Sequence, residues 1–565
     1  MAAPYREIIK DIRLAFPQPT SDRIHDSYLV HSFMNALNQV DALKMHLPML
    51  GAVVKPDYEQ ARHARLPEDM SSVEEVASEL VSYLRGMTVV GHPRTQQNVI
   101  CPPSIPSVIG VLLAALHNPN LGWDEHSRLF ALAEVEAASI TAGLIGYDQK
   151  EAAGVFTFGG TGTSLYGIRI GLEKACPGTL RRGLSEEAVV FVADTGHYCA
   201  YSIAGWVGIG SDQVVSIPTT PENEIDLHLL EEAACKALQD GKKIAAFIAT
   251  MGSTDAFGVD DLQAIVALRD RLVEEFDLPY RPHVHADAVI GWAWSVFNDY
   301  DFEKNELGFR PRTLRALAGA CRRIRELPLA DSVGVDFHKT GFTPYISSLV
   351  LVKDYKDLRL LKRDREQMPY LYQFGEYKPG MYTLETSRAA TGPMAALANY
   401  RLLGVQGIRA LIGHLVEMAQ LLREHLEGHE GIIVLNRDNY GPVTLFRVYP
   451  PGKEAFATFT NRRKEFTDPA YRNALLAYNN YNRKVSAYVH EEAMAGRGVL
   501  LSLTDCYRHT IYGEPIVALK SYIMSPFVDH ENLEIIVEKV LEARGQLRQD
   551  TASRKDRKIL HWFAS

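Results

Sequence analysis

The sequence predicts an α/β protein built on a largely parallel sheet with helices on both faces. Two observations carry this expectation. From about residue 150 to 355, short β-rich runs alternate with helical segments. The runs Ala188-Val-Val-Phe-Val-Ala, Gln213-Val-Val-Ser-Ile, Ile244-Ala-Ala-Phe-Ile-Ala and Ser332-Val-Gly-Val-Asp lack the polar alternation of half-exposed strands. Apolar strands separated by helices are the pattern of a parallel sheet covered on both sides. Ligands of such sheets bind beyond the carboxyl ends of the strands, so chemistry is sought just after each run.

Taken in order, residues 1–105 read as helical pieces, too few to form a core alone, and are expected to make an N-terminal arm. Cys101-Pro-Pro-Ser-Ile-Pro ends this region, because proline resists both helix and central strand. A long helical pattern through His126-Ser-Arg-Leu-Phe-Ala-Leu-Ala-Glu-Val-Glu-Ala-Ala opens a large domain, residues 106–392. Residues 393–565 read as a smaller α+β unit. That unit has a long helix over 394–426, strand candidates at 432–435, 443–448 and 518–524, and a closing amphipathic helix over 533–547. The charged tail 551–558 reads as a solvated end, and there is no internal repeat.

Composition narrows the class. Across 565 residues, 46% are hydrophobic and 23% charged, the balance of a soluble globular protein rather than a disordered or collagen-like chain. A formal charge of −9 argues against a nucleic-acid surface. The six cysteines form no CxxC pair, which fits a reducing, cytoplasmic setting. Charges interrupt the first sixteen residues where a signal peptide would be apolar, and the longest apolar stretch, 108–116, is too short for a bilayer. No membrane association is expected.

Five sites could carry chemistry. Gly159-Gly160-Thr161-Gly162-Thr163-Ser164 follows a strand and opens a helix, where small residues and free N–H groups can cradle an anion. It is neither a Walker loop nor GxGxxG, and a tight turn without ligand explains it as well. His197 lies after the run at 188, in Asp194-Thr-Gly-His197-Tyr198, and alone reads as a helix-start histidine bonded to backbone; Thr254 lies after the run at 244 and alone reads as turn chemistry. His283-Val-His285-Ala-Asp287 could chelate zinc from one strand face, but no further ligand cluster accompanies it. A second reading gives the work to Asp287 alone, facing a protonated ring nitrogen; on these five residues a histidine pair satisfied by hydrogen bonds at a strand end is favoured over both, and no metal is assigned. In Asp336-Phe-His338-Lys339-Thr-Gly-Phe-Thr-Pro-Tyr345, a lysine at the end of a buried strand is costly unless paired or neutral, and a desolvated amine is a nucleophile.

Together the signals gain meaning. An anion cradle, a histidine, a threonine turn, a carboxylate and a lysine each follow a strand of one sheet. That set meets the needs of pyridoxal phosphate: phosphate anchor, ring stacker, ring-nitrogen partner and Schiff-base lysine. At these residues, from Gly91-His-Pro to Met524-Ser-Pro-Phe, the chain resembles the group II pyridoxal-phosphate-dependent amino acid decarboxylases. The bacterial tyrosine and aromatic amino acid decarboxylases are closest in look.

The resemblance implies fold type I, the aspartate aminotransferase-like fold, with a mostly parallel seven-stranded sheet, the helical arm and a small α+β C-terminal domain. It implies a homodimer with shared active sites and interlocked arms. Lys339 would form the internal aldimine, Asp287 would hold the ring nitrogen protonated, and His197 would stack on the ring. Gly160, Thr161, Gly162 and His338 would bind the phosphate, with Ser387 from the partner subunit and Thr254 beside the ring. Tyr345 would help protonate the substrate carbon. The implied reaction turns an L-amino acid, aromatic by preference, into its amine and carbon dioxide. Alternatives are a carbon–carbon lyase resembling sphingosine-1-phosphate lyase, and a decarboxylase for an acidic or non-proteinogenic amino acid, for which Arg94 could supply a cation. Ala286 and Val289 around Asp287, Phe337, and a larger Tyr522 depart from the family pattern; they leave the cofactor reading intact and bear on the substrate side chain. The charged segment 353–377 reads as a lid, with Tyr370 or Tyr372 as pocket residues.

Overall fold

A computed structural model describes residues 8–9, 12–13, 15–45, 47–368, 374–453 and 464–550. The strands in chain order are β1 (Thr95–Gln96), β2 (Ala153–Thr157), β3 (Ala188–Ala193), β4 (Val214–Ile217), β5 (Lys243–Thr250) and β6 (His283–Asp287). They continue with β7 (Ser332–Asp336), β8 (Ser348–Val352), β9 (Ile432–Val434), β10 (Val443–Val448), β11 (Leu500–Thr504) and β12 (Ala518–Tyr522). The large sheet is seven-stranded in the order β2-β8-β7-β6-β5-β3-β4. All its strands run one way except β8, which pairs antiparallel with both β7 and β2. The expected fold class is the one observed, and the apolar runs at 188, 213, 244 and 332 are all strands.

The helix Gly160–Ala175 crosses one face of this sheet against β5, β6, β7 and β8. The helices Leu227–Gln239 and Leu262–Glu275 are placed against β5. The main apolar core spans Val189, Phe247, Val284, Val333 and Leu349 of the sheet and Ile412, Leu415 and Leu422 of the helix Thr391–Glu427. That helix bends at Gly404, whose φ is +53°. Among the described residues it is the one helix long and apolar enough to cross a membrane, a possibility the sequence reading did not raise. Ile408, Ile412, Leu415, Val416 and Leu422 of this helix are packed in the core, while Leu402 and Val405 near the bend are exposed.

The pattern expected to run helical through 126–138 is interrupted. One helix, Ile105–His117, ends at Asn118 with φ +45°, and the next long one, Leu129–Ile145, starts after Arg128 with φ +47°. The second sheet has the order β1-β11-β12-β10-β9. Its edge strand comes from the N-terminal hundred residues: Thr95 and Gln96 pair parallel with Leu500 and Leu501. Buried Gln96 accepts a bond from Ser521 Oγ at 2.6 Å, and Gln97 Nε2 donates to Leu501 O across 404 residues. The charged segment after β8 is anchored at its start: Leu358 and Leu361 are buried against Val350 and Val352. Tyr370, Tyr372 and the tail 551–558 lie outside the described residues.

Candidate active site

Strands β2, β3, β5, β6 and β7 deliver their carboxyl ends to one edge of the large sheet. Strand β7 ends on Asp336, and the chain turns at once into the short helix Phe337–Thr340. This turn brings Lys339 Nζ to 2.9 Å from Asp336 Oδ2. Strand β8 places Ser348 opposite Asp336, and Ser348 Oγ donates to Asp336 Oδ1 at 2.5 Å. Asp336 is the residue the sequence reading passed over: it stood in the quoted run, but no role was given to it. The available signal was its position, a carboxylate closing a fully buried strand three residues before a lysine.

Asp287 ends β6, directly between Thr250 of β5 and Gly334 of β7. It is 8% exposed, and its Oδ1 has no hydrogen-bond partner among the described residues. His197 follows β3. Its Nδ1 accepts the Cys199 N–H at 3.2 Å and its ring stacks on Tyr198 at 4.4 Å, leaving it exposed at the rim. Lys339, Asp287 and His197 lie close enough to perturb one another's charge. Burial opposes the Lys339 ammonium, but Asp336 and then Asp287 outweigh it and hold the amine above its ordinary range. Burial raises Asp287, while Lys339 and His197 act against that rise. Burial lowers His197, with Asp287 opposing.

The helix Gly160–Ala175 begins beside this group, so the cradle and the charged residues do meet. A Cβ on Gly160 would stand 2.8 Å from Asp336 Oδ2 and 3.1 Å from Val289, so only glycine allows the helix start to approach so closely. Thr161 is exposed there and Gly162 buried. Buried His338 takes the Ser347 N–H on Nδ1 at 3.3 Å, places Nε2 3.5 Å from Asp336 Oδ2, and packs its ring 4.2 Å from Tyr345. Tyr345 is exposed. Burial raises its phenol and Lys339 opposes the rise, so the hydroxyl keeps its proton.

Other expected residues sit differently. Thr254 is half-buried in the turn after β5, where neighbouring Asp255 pairs with Lys520 at 2.6 Å. Ser387 is exposed, its Oγ 3.4 Å from Asn120 Nδ2. Arg94 donates to the Gly496 carbonyl at 2.8 Å, at the junction with the second sheet. Tyr522 is fully buried in the main apolar core. His283 and His285 both bond Ser332 Oγ, and among the described residues no group of three metal-ligating side chains occurs.

These residues fit pyridoxal phosphate. The Asp287 Oδ1 oxygen is buried and unbonded among the described residues, and a glycine-opened helix start lies against Asp336, which pairs with Lys339. The fold and the site together define a fold type I pyridoxal phosphate enzyme. Residues 56–448 match the family described as "Pyridoxal-dependent decarboxylase conserved domain", so the chain belongs to the pyridoxal-dependent decarboxylases. An L-2,4-diaminobutyrate decarboxylase of Acinetobacter baumannii is 24% identical over 489 residues, 83% of this chain and 84% of that one. An L-tyrosine decarboxylase of Enterococcus faecium is 30% identical over 255 residues, 42% of this chain and 40% of the other. Two solved structures share the fold. Mouse CSAD in apo form has a TM-score of 0.73 at 17% identity, covering 92% of this chain and 99% of its own. Oryza sativa TDC with PLP and tryptamine has a TM-score of 0.71 at 18% identity, covering 94% and 100%. The chain is thus a pyridoxal-phosphate-dependent amino acid decarboxylase, a carboxy-lyase.

Proposed function

We propose that the substrate is an L-amino acid with an aromatic side chain, and that Lys339, Asp287, His197 and Tyr345 carry the reaction. The observation that supports this reading most is the presence of aromatic side chains beside the site residues: exposed Tyr345 against His338, Tyr198 stacked on His197, and Phe158 beside Gly162 of the cradle. The engagement of Arg94 with Gly496 speaks against an acidic substrate held by that cation. A diamino acid is the second reading, favoured by the diaminobutyrate decarboxylase that matches over most of the chain.

Bound pyridoxal phosphate supplies the sink for the electron pair left when the carboxylate departs as carbon dioxide. Lys339 Nζ is the amine placed to hold the cofactor, and Asp336 keeps the proton on that nitrogen while it is free. Gly160, Thr161, Gly162 and His338 would hold the phosphate, which the positive end of the helix favours, with Ser387 serving the partner's site and Thr254 serving the ring. Asp287 Oδ1 keeps a proton on the ring nitrogen, since an opposite charge nearby favours the charged form. His197 covers the ring face and orients the leaving carboxylate. The Tyr345 hydroxyl returns a proton to the carbon that lost carbon dioxide. A homodimer is part of the proposal, supported by exposed Ile105, Val108, Ile109 and Leu113 on one helix and Leu129 and Leu132 on another. A cytoplasmic setting is proposed too, in keeping with six unpaired cysteines.

The test is a product assay by mass spectrometry with each proteinogenic amino acid, 2,4-diaminobutyrate and added pyridoxal phosphate. Tyramine, phenethylamine or tryptamine as the main product supports the aromatic reading, and 1,3-diaminopropane replaces it. Asp287→Ala is expected to keep the cofactor and lose about a hundredfold or more in kcat; near-normal turnover would refute its role. Lys339→Ala is expected to lose the visible absorption of covalently held cofactor.

A further inference from the structure

Beneath the active edge, a row of buried polar groups runs along one face of the sheet toward Asp287. His283, His285 and Asp287 alternate along β6 and so share a face. Ser332, Gly334 and Asp336 share that face of β7, with Ser332 opposite His285 and Gly334 opposite Asp287. Lys174, on the helix covering this face, bonds Asp357 at 2.6 Å and stands 3.2 Å from His283 Nδ1. His283 Nε2 lies 2.7 Å from Ser332 Oγ, and Ser332 Oγ lies 2.8 Å from His285 Nδ1.

The direction of every proton in this row follows from its outer end. An ammonium only donates, so Lys174 makes His283 Nδ1 an acceptor. A neutral imidazole with one accepting nitrogen donates from the other, so His283 Nε2–H points to Ser332 Oγ. The serine hydroxyl then gives its single proton to His285 Nδ1, and His285 carries its own proton on Nε2. Both rings are neutral: burial pushes His285 down to about 3 and His283 well below its ordinary value. Asp331 Oδ2 is 3.9 Å from His283 Nδ1, too far to compete, and accepts from Arg269 and the Val284 N–H instead.

The inner end of the row comes level with Asp287. A Cβ on Gly334 would lie 3.4 Å from His285 Nε2 and collide with Thr163 Oγ1, so His285 Nε2 sits over the Gly334–Asp287 step of the sheet. Gly334 is the register partner of Asp287, so the donor lies toward the end of the row at which Asp287 stands. His285 Nε2 and Asp287 Oδ1 are both buried and without hydrogen-bond partners among the described residues, one a donor and one an acceptor.

We propose that Lys174, His283, Ser332 and His285 form a one-way hydrogen-bond chain that fixes the His285 tautomer and so holds Asp287 in its charged form. These are positioning residues that act through Asp287, and the inference rests on the proposed pairing of Asp287 with the cofactor's ring nitrogen. In a low-dielectric site the positive end of one N–H dipole weighs on a neighbouring carboxylate, because little water screens it.

The experiment is solid-state 15N NMR of the holoenzyme loaded with pyridoxal phosphate labelled at the ring nitrogen, whose shift reports protonation there. The wild type is expected to show a protonated ring nitrogen and Asp287→Ala an unprotonated one. An unchanged shift in Asp287→Ala refutes the underlying pairing. With that pairing upheld, Ser332→Ala cuts the chain in its middle and Lys174→Met removes its outer donor. Each is expected to move the ring nitrogen toward the unprotonated shift and lower its pKa by about one unit, the scale of one neighbouring group's influence. Lys174→Arg, which keeps a donor, is expected to restore the wild-type shift. Wild-type shifts in both disrupted variants, with circular dichroism showing native folding, overturn the chain. Should Ser332→Ala fail to fold, Lys174→Met decides alone, because Lys174 lies toward the surface with its side chain 23% exposed.

Discussion

Asp336 and Asp287 are carboxylates buried at the same sheet edge, yet their surroundings give them different tasks. Asp336 bonds Ser348 through Oδ1 and ion-pairs with Lys339 through Oδ2, whereas Asp287 Oδ1 has no hydrogen-bond partner among the described residues. Asp336→Asn would keep a bond to Ser348 but remove the counter-charge of Lys339. Burial then dominates and the amine loses its proton at lower pH. The pH profile for pyridoxal phosphate incorporation into the cofactor-free enzyme is expected to shift down by about one unit or more. A third buried carboxylate gives a stability effect. Burial raises Asp260 to about 7, although the N–H groups of Ile225 and Thr250 each donate to it at 2.7 Å. Its folded pKa lies above the ordinary carboxylate value, so the folded state holds the proton more tightly and stability falls as pH rises from about 4 to 7. The loss is up to roughly 4 kcal/mol, from a shift of about three units. Urea midpoints over that range are expected to fall in the wild type and to vary less in Asp260→Asn. The gathering of Lys339, Asp287 and the glycine run at one sheet edge was legible because each lies at, or within three residues of, the carboxyl end of a strand. The role of Asp336 was not, because it depends on Ser348, which arrives on a strand of opposite direction.

At the scale of elements, one buried ion pair joins parts of the chain that are far apart in sequence. Glu134, fully buried in the helix Leu129–Ile145, accepts from the Phe156 N–H at 2.9 Å, from Tyr377 Oη at 3.0 Å and from Arg388. Arg388 also donates to the carbonyls of Phe156 and Leu121. This pair fixes the segment after residue 374 to the strand that leads into the cradle. Arg388→Met would leave Glu134 charged and unpaired, a loss of about 3–5 kcal/mol in chemical denaturation. Adding Glu134→Gln to that variant is expected to recover part of the loss. Two elements of the second unit escaped the sequence reading for a related reason. The helix Arg472–Met494 carries Asn479-Asn-Tyr-Asn482 in its middle, a poor helix-forming run. Asn482 exchanges two hydrogen bonds with Val448 at the end of β10, and Asn479 bonds Arg447 and the Val517 N–H. Tertiary bonding outweighs propensity there. Strand β11 gains its identity from lying between β12, the next strand in the chain, and β1, which is remote in sequence.

The whole molecule leaves apolar side chains in water that a second copy would cover. Sedimentation equilibrium is expected to return twice the chain mass, and Ile109→Asp with Leu132→Asp to shift the balance to monomer. The seam between β1 and β11 bears on how the protein is made. The chain emerges from the ribosome amino end first, yet Gln97 meets its partner Leu501 only after 404 further residues. At ordinary translation speeds of about 5–20 residues per second that wait is roughly 20–80 s. During synthesis the first segment is therefore an unpaired edge, and the small sheet closes only after its last strands have left the ribosome.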